Sequence, residues 1–207
     1  MIRGVVIPAA LAGIVGYIGI LAKPSSSLFS YHPAFMTLAF IGMLSSAVLL
    51  LNRDVKLSRR SKTFLHWLLN GLAGIAAAVG FGSIYYNKEL NNKPHFTSWH
   101  GLIGATACAL LLSQLTFGGI MNYPQYAKPV LSYSALRRCH AISGTTVYLL
   151  GSGAFIFGLF TTWFQSQASA LAIITVIGAQ ALVLGSILQQ VWKGLGVLNK
   201  SWKNVKN

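Results

Sequence analysis

Acidic side chains are almost missing from this chain. It has 207 residues and two acids, Asp54 and Glu89, against 16 lysines and arginines, for a net charge of +14. Charged residues of both signs make up 9% of it, where a water-soluble domain carries about 25%. With 54% hydrophobic residues as well, an ordinary soluble surface is excluded, and the composition is that of a membrane domain. On a soluble protein the excess of bases would raise nucleic-acid binding. Here the bases flank apolar runs and no such surface exists, so no nucleic-acid partner is expected. Cysteine is scarce too. Cys108 lies inside an apolar run and Cys139 at the edge of another, and neither belongs to a CxxC or CxxCH motif. That excludes a dithiol redox pair and covalent cofactor attachment of that type. Cys108 reads as a packed small residue. There is no internal repeat, no low-complexity block and no soluble-domain boundary, so residues 1–207 read as a single membrane domain.

Six apolar runs are present, roughly Val5–Leu21, Tyr31–Leu51, Phe64–Tyr86, Ser98–Met121, Cys139–Phe164 and Leu171–Trp192. About 20 apolar residues suffice to cross a bilayer as a helix. The first run is long for the core of a signal peptide and ends in "ILAKPSSS" without a small-x-small cleavage site, which predicts an uncleaved anchor. Polar punctuation separates the runs: "AKPSSS", "NRDVKLSRRSK", "NKELNNKP", "NYPQYAKPVLSYS" and "QSQASA". One face of the resulting six-helix plan receives Arg3, Arg53, Lys56, Arg59, Arg60, Lys62, Lys128, Arg137, Arg138, Lys193, Lys200, Lys203 and Lys206. The other receives only Lys23, Lys88 and Lys93. The positive-inside bias predicts both termini, and the loops after the second and fourth helices, in the cytoplasm.

Histidine is absent from the first and last runs and occurs once near the start of each of the four between: His32, His66, His100 and His140. A fifth, His95, precedes the fourth run. Consecutive helices start on opposite sides, so His32 and His100 fall toward the non-cytoplasmic face and His66 and His140 toward the cytoplasm. In an up-and-down four-helix bundle, alternate helices sit diagonally across the core. Each diagonal would then hold one histidine pair. A lone histidine at a helix end is usually an interfacial side chain. One per helix in four successive helices, and none in the outer two, is not what that explanation gives. Intramembrane ionisable groups are functional candidates.

Four ligands split between two depths cannot build one zinc tetrahedron. A planar macrocycle with its metal held from both sides by imidazole fits, as in haem. Gly104 follows His100 by four positions and Gly144 follows His140 by four, on the same helix face, leaving room for a flat ring. Asn70 and Gly71 hold that place after His66, and Met36 after His32. A span of about 22 residues is about 33 Å long, so two irons would stand roughly 20 Å apart along the membrane normal.

The segments "SLFSYHP" (27–33), "SRRSKTFLHW" (58–67), "KPHFTSWHG" (93–101) and "LRRCHAISG" (136–144) resemble the cytochrome b561 family, in its order and spacing, over about residues 20–165. The resemblance is to its short members, which are little more than the membrane core. It implies an all-α membrane protein of six transmembrane helices. Helices 2–5 would form a four-helix bundle around two haems b, each bis-histidine ligated: His32 with His100, and His66 with His140. It implies electron transfer from cytoplasmic ascorbate to monodehydroascorbate radical or ferric iron on the lumenal or extracellular side. It also implies an endomembrane location and is compatible with a homodimer.

Ascorbate is an anion, so its site should be basic. Arg60 and Lys62 before His66 are candidates for contacts to the cofactor, and Arg137 and Arg138 before His140 for the donor. Where the family often carries a base two positions before the helix-3 histidine, this chain has Phe64. On the opposite face, Lys93 and His95 are candidates for the acceptor site, with Lys88 and the tyrosines Tyr31, Tyr85 and Tyr86 near them. Two other classes answer to the same features: an electron-carrying membrane anchor for another redox subunit, and a small transporter with a histidine proton relay.

Overall fold

The computed structural model describes residues 2–123 and 132–206. Lys128 lies outside the described residues, as do the side chains of Arg3, Lys200, Lys203 and Lys206. Six helices are long and apolar enough to cross a membrane: α1 (Ile2–Ala22), α2 (Tyr31–Leu49), α3 (Arg59–Leu90), α4 (Trp99–Met121), α5 (Tyr133–Leu159) and α6 (Ala170–Lys206). A single helical turn, Thr162–Gln165, joins α5 to α6.

Each apolar run falls on one helix, but the ends differ. α3 starts at Arg59 rather than Phe64 and continues to Leu90. α5 starts at Tyr133 rather than Cys139 and stops at Leu159 rather than Phe164. Hydropathy marks only the bilayer's hydrocarbon core, about 30 Å thick, whereas a helix runs until it is capped. Ser58 Oγ accepts from the Ser61 N–H at 3.0 Å, Ser98 Oγ from Gly101 at 3.2 Å and Ser132 Oγ from Ala135 at 3.3 Å. These hydroxyls satisfy orphan donors of the first turns and fix the starts of α3, α4 and α5. At its end, α5 is closed by the Thr161 hydroxyl, which donates to the Gly158 carbonyl at 2.7 Å. The 32 residues of α3 extend about 48 Å, so its basic first turn projects beyond the hydrocarbon.

α2 packs on α3, α3 on α4, α4 on α5, and α5 back on α2, which closes a four-helix ring. α2 and α4 face each other across its centre, as do α3 and α5. α1 lies outside, against α2 and α6, and α6 covers α5 and the last turns of α2. The apolar core is thickest in this outer layer. Ile14 and Ile18 of α1, Ile41 of α2, and Val183 and Ile187 of α6 are almost fully buried in one cluster. The buried residues of α3 are all small, Ala73, Ala76, Ala77 and Gly80, and Ala107 of α4 and Gly151 and Ala154 of α5 are small as well, beside larger ones such as Leu111 of α4 and Phe40 of α2. Ile75, Leu112 and Leu182 point outward, as lipid-facing side chains do.

A buried polar chain ties the two layers. The Tyr148 and Ser45 hydroxyls are 2.8 Å apart, and Gln180 Nε2 donates to Ser152 Oγ at 3.0 Å. Such interhelical bonds are worth about 0.6 kcal/mol each in a bilayer. They connect α6 and α2 to α5. One departure from regular geometry lies in α2, where Leu38–Met43 form a π-helical turn.

Candidate functional site: two histidine pairs

His32 is the second residue of α2 and His100 the second of α4. Their Nε2 atoms are 3.5 Å apart, and the rings are nearly perpendicular, at 86° with centroids 5.8 Å apart. The other nitrogen of each ring is engaged with the backbone. His32 Nδ1–H donates to the Gly80 carbonyl at 3.0 Å, and His100 Nδ1–H to the Ala154 carbonyl at 2.8 Å. A carbonyl cannot donate, so each neutral ring keeps its proton on Nδ1. Two Nε2 lone pairs are left facing one another. That is repulsive unless an electron-pair acceptor stands between them. A metal–imidazole bond is about 2.0 Å, so a metal between the two rings would need only about half an ångström more separation than the present 3.5 Å. The donor set fits a metal held on one axis by two imidazoles.

The second pair is built alike. His66 and His140 have ring centroids 6.2 Å apart at 74°. His66 Nδ1–H donates to the Ala47 carbonyl at 2.9 Å. His140 Nδ1 meets the side-chain amide of Gln114, also at 2.9 Å.

The four helices thus trade support in a fixed register. α2 holds His66 and α3 holds His32; α4 holds His140 and α5 holds His100. On α3, α4 and α5 the supporting residue stands fourteen positions after the helix's own histidine: His66 to Gly80, His100 to Gln114, His140 to Ala154. Fourteen residues rise about 21 Å, which sets the two levels of the site. In α2 the interval is fifteen, His32 to Ala47. The π turn Leu38–Met43 lies between them. Its i→i+5 bonding accommodates the additional residue without displacing either end.

Space beside the rings comes from glycines, though mainly from glycines on the neighbouring helix. A Cβ at Gly158 of α5 would come within 3.2 Å of His100 Cε1, and one at Gly118 of α4 within 3.3 Å of His140 Cε1. A Cβ at Gly151 would run into the Phe40 ring. Gly104 lines the cavity around the His32–His100 pair, whereas Gly144 abuts Gln114, where a Cβ would be 2.8 Å from the amide nitrogen. The cavity measures about 300 Å³, with Met36, Phe40 and Phe155 among its walls and Lys88, His95 and Phe96 at one end.

Asn70 donates to the His66 carbonyl at 2.6 Å and Lys62 Nζ to the Asn52 carbonyl at 2.5 Å. Arg60 borders an outer hollow with Arg59, Phe64 and Trp67, away from the histidine axis. Arg137 is exposed and Arg138 half-buried on the first turns of α5. Lys93 is exposed. His95 is organised: its Nε2 is 2.7 Å from Glu89 Oε1, and its ring stacks on Tyr85 with centroids 4.3 Å apart. Lys88 Nζ donates to the Pro94 carbonyl at 2.8 Å and pins this loop. Phe96 has φ 54°, a left-handed conformation unfavourable for a bulky residue and common at functional loops. Glu89 is one of the chain's two acids, and its place beside His95 is not visible in the linear spacing. Among the described residues, no third His, Cys, Asp or Glu joins either histidine pair.

These features define a helical membrane protein with opposed imidazoles at two depths. The chain belongs to the cytochrome b561 family: the family model for eukaryotic cytochrome b561 matches residues 31–165. It is 33% identical to "Transmembrane reductase CYB561D2" of Mus musculus over 183 residues, 86% of this chain and 82% of that protein. It is 34% identical to the Bos taurus protein of the same name over 161 residues, 76% of this chain and 72% of that one. A more distant relative, 26% identical over 175 residues, is "Transmembrane ascorbate-dependent reductase CYB561" of Mus musculus, with 83% of this chain and 68% of that protein covered. The chain is therefore a multi-pass membrane oxidoreductase of a transmembrane electron-transfer family, and membership of that family implies haem b.

Proposed function

We propose that the chain carries two haems b and passes single electrons from ascorbate in the cytoplasm to an acceptor on the lumenal or extracellular side. The observation that supports this most is the facing of the His32 and His100 Nε2 atoms, each ring tied by its Nδ1–H to a backbone carbonyl. His32 and His100 would hold the non-cytoplasmic haem through Nε2, and His66 and His140 the cytoplasmic one. When bound, haem supplies the one-electron exchange between ferric and ferrous iron. A haem held by two histidines would be suited to electron transfer.

The protein's own contributions are distance, orientation and access. Two levels about 21 Å apart divide the electron's passage into three transfers, from donor to the first level, between levels, and from the second level to the acceptor. Phe40, Met36 and the packed small residues keep water from the axis. On the cytoplasmic face, Arg137 and Arg138 attract the ascorbate anion at the start of α5. On the other face, Lys88, Lys93 and His95 receive an anionic acceptor, monodehydroascorbate or a ferric chelate, at the open end of the cavity. The chain as a single domain, both termini cytoplasmic and an endomembrane location belong to the same reading; the lopsided distribution of bases supports the orientation. Proteoliposomes holding a ferric chelate, given ascorbate at the basic face, test it. Reduction of the enclosed chelate is expected. Haem reduction with no turnover of the chelate would mark the chain as an electron-carrying anchor for another subunit.

A further inference from the structure

Three of the four histidines give their Nδ1 proton to a main-chain carbonyl, and His140 alone meets a side chain. Gln114 Nε2 lies 2.9 Å from His140 Nδ1 and 2.8 Å from the His140 carbonyl, while Ser143 Oγ donates to Gln114 Oε1 at 2.7 Å. In that orientation the amide donates to Nδ1. The ring's proton must then sit on Nε2, facing His66, and such a tautomer cannot ligate iron. The two ends of a glutamine amide are distinguished only by their partners. Turned over, Oε1 accepts from Nδ1–H and Nε2 donates to Ser143 Oγ. The Ser143 proton remains free for the Cys139 carbonyl, 2.7 Å away. Turning sets Oε1 against the His140 carbonyl oxygen, a repulsion the first orientation lacks. Amide orientation and ring tautomer are therefore linked: one fits the bare imidazole, the other the imidazole that binds metal.

We propose that Gln114 is the positioning residue of His140, turning its amide to accept the Nδ1 proton when His140 ligates the cytoplasmic-level haem. The proposal rests on the bis-histidine reading above. The register supports it, because Gln114 occupies the same fourteen-position place that Gly80 and Ala154 occupy on α3 and α5, and both of those present acceptors. Gly144 supports it as well, since any larger residue would displace the amide. A side-chain acceptor can move and be replaced, unlike the carbonyls that hold the other three rings. It makes this iron the one whose ligand strength a single side chain sets.

Redox titration of the purified, haem-loaded protein tests the proposal, with low-temperature electron paramagnetic resonance as a second readout. Gln114→Met removes the acceptor at nearly constant size and weakens His140 as a donor. One haem should shift toward the ferrous form by about tenfold in its ferric/ferrous ratio, or about 59 mV upward. Gln114→Glu supplies a stronger acceptor and should shift the same haem downward by a comparable amount. The other haem should keep its potential and its signal in both variants. A structural role alone would move both variants in one direction or disturb both haems, and either result overturns the proposal. So does a parental potential in both. His140→Ala separates the underlying reading: if it keeps both low-spin haems, histidine ligation itself is wrong, whatever Gln114 does.

Discussion

His95 and His100 stand five positions apart and are held by different chemistry. His100 is anchored by a main-chain carbonyl and turns its Nε2 toward His32. His95 lies outside the helix, stacked on Tyr85 and bonded to Glu89. His100→Ala should therefore remove one low-spin haem, seen as a loss of absorbance in the reduced spectrum. His95→Ala should retain both haems and weaken acceptor binding about tenfold, the equivalent of one charge-assisted hydrogen bond. Stopped-flow oxidation of the reduced protein by a ferric chelate measures it; loss of a haem in His95→Ala would contradict the division. The histidines were legible in the sequence because an imidazole in an apolar run is conspicuous. Their supports at Ala47, Gly80 and Ala154 were not. A main-chain carbonyl is present at every residue, so nothing in a side chain marks the one that will be used. Gln114 did carry a signal, as a lone amide in the apolar run, and its distance from His100 matches the spacing of the other supports.

At the scale of elements, the sequence located all six helices and misplaced several ends. The charged first turns of α3 and α5 are not apolar, yet Ser58 and Ser132 cap them and the helices begin there. The π turn of α2 was invisible for a related reason. No residue type demands it; it is required by where His32 and Ala47 must both end up, and only the assembled ring defines that. It can be tested directly. Deleting one residue within Leu38–Met43 leaves fourteen positions between His32 and the Ala47 carbonyl, the interval that regular α-helix serves on α3, α4 and α5. The π turn should relax to α-helix, with both ends in place and both haems retained at parental potential. Inserting one residue there exceeds what a single π turn absorbs and rotates everything beyond it by about 100°. Ala47 would turn away from His66 while His32 stays in place, and occupancy at the His66–His140 level should fall by about ten- to a hundredfold, the usual effect of losing an outer-shell partner. Haem-to-protein ratio and redox titration report which haem is lost. Loss in the deletion variant, or equal loss at both levels in the insertion variant, would contradict this role of the π turn.

For the whole molecule, the run of small buried residues on α3 and the buried aliphatic cluster shared by α1, α2 and α6 fit one requirement. The proposed flat cofactors would need open volume along the bundle axis, and much of the aliphatic packing lies outside it, against α1 and α6. The glycine pattern illustrates how far a linear reading goes. Gly104 and Gly144 were expected beside their own histidines, yet Gly158 and Gly118 of the neighbouring helix stand close to the rings. Which helices are neighbours is a property of the closed ring and cannot be read along one helix. The same ring puts a histidine pair near each face, the two levels of the electron path proposed above. Haem content per chain in the purified protein, measured beside that of His66→Ala, tests this two-level path most directly. Two low-spin haems per chain are expected, with one remaining in His66→Ala at the potential of the non-cytoplasmic site. A single haem in the parent, or two retained after the substitution, would contradict it.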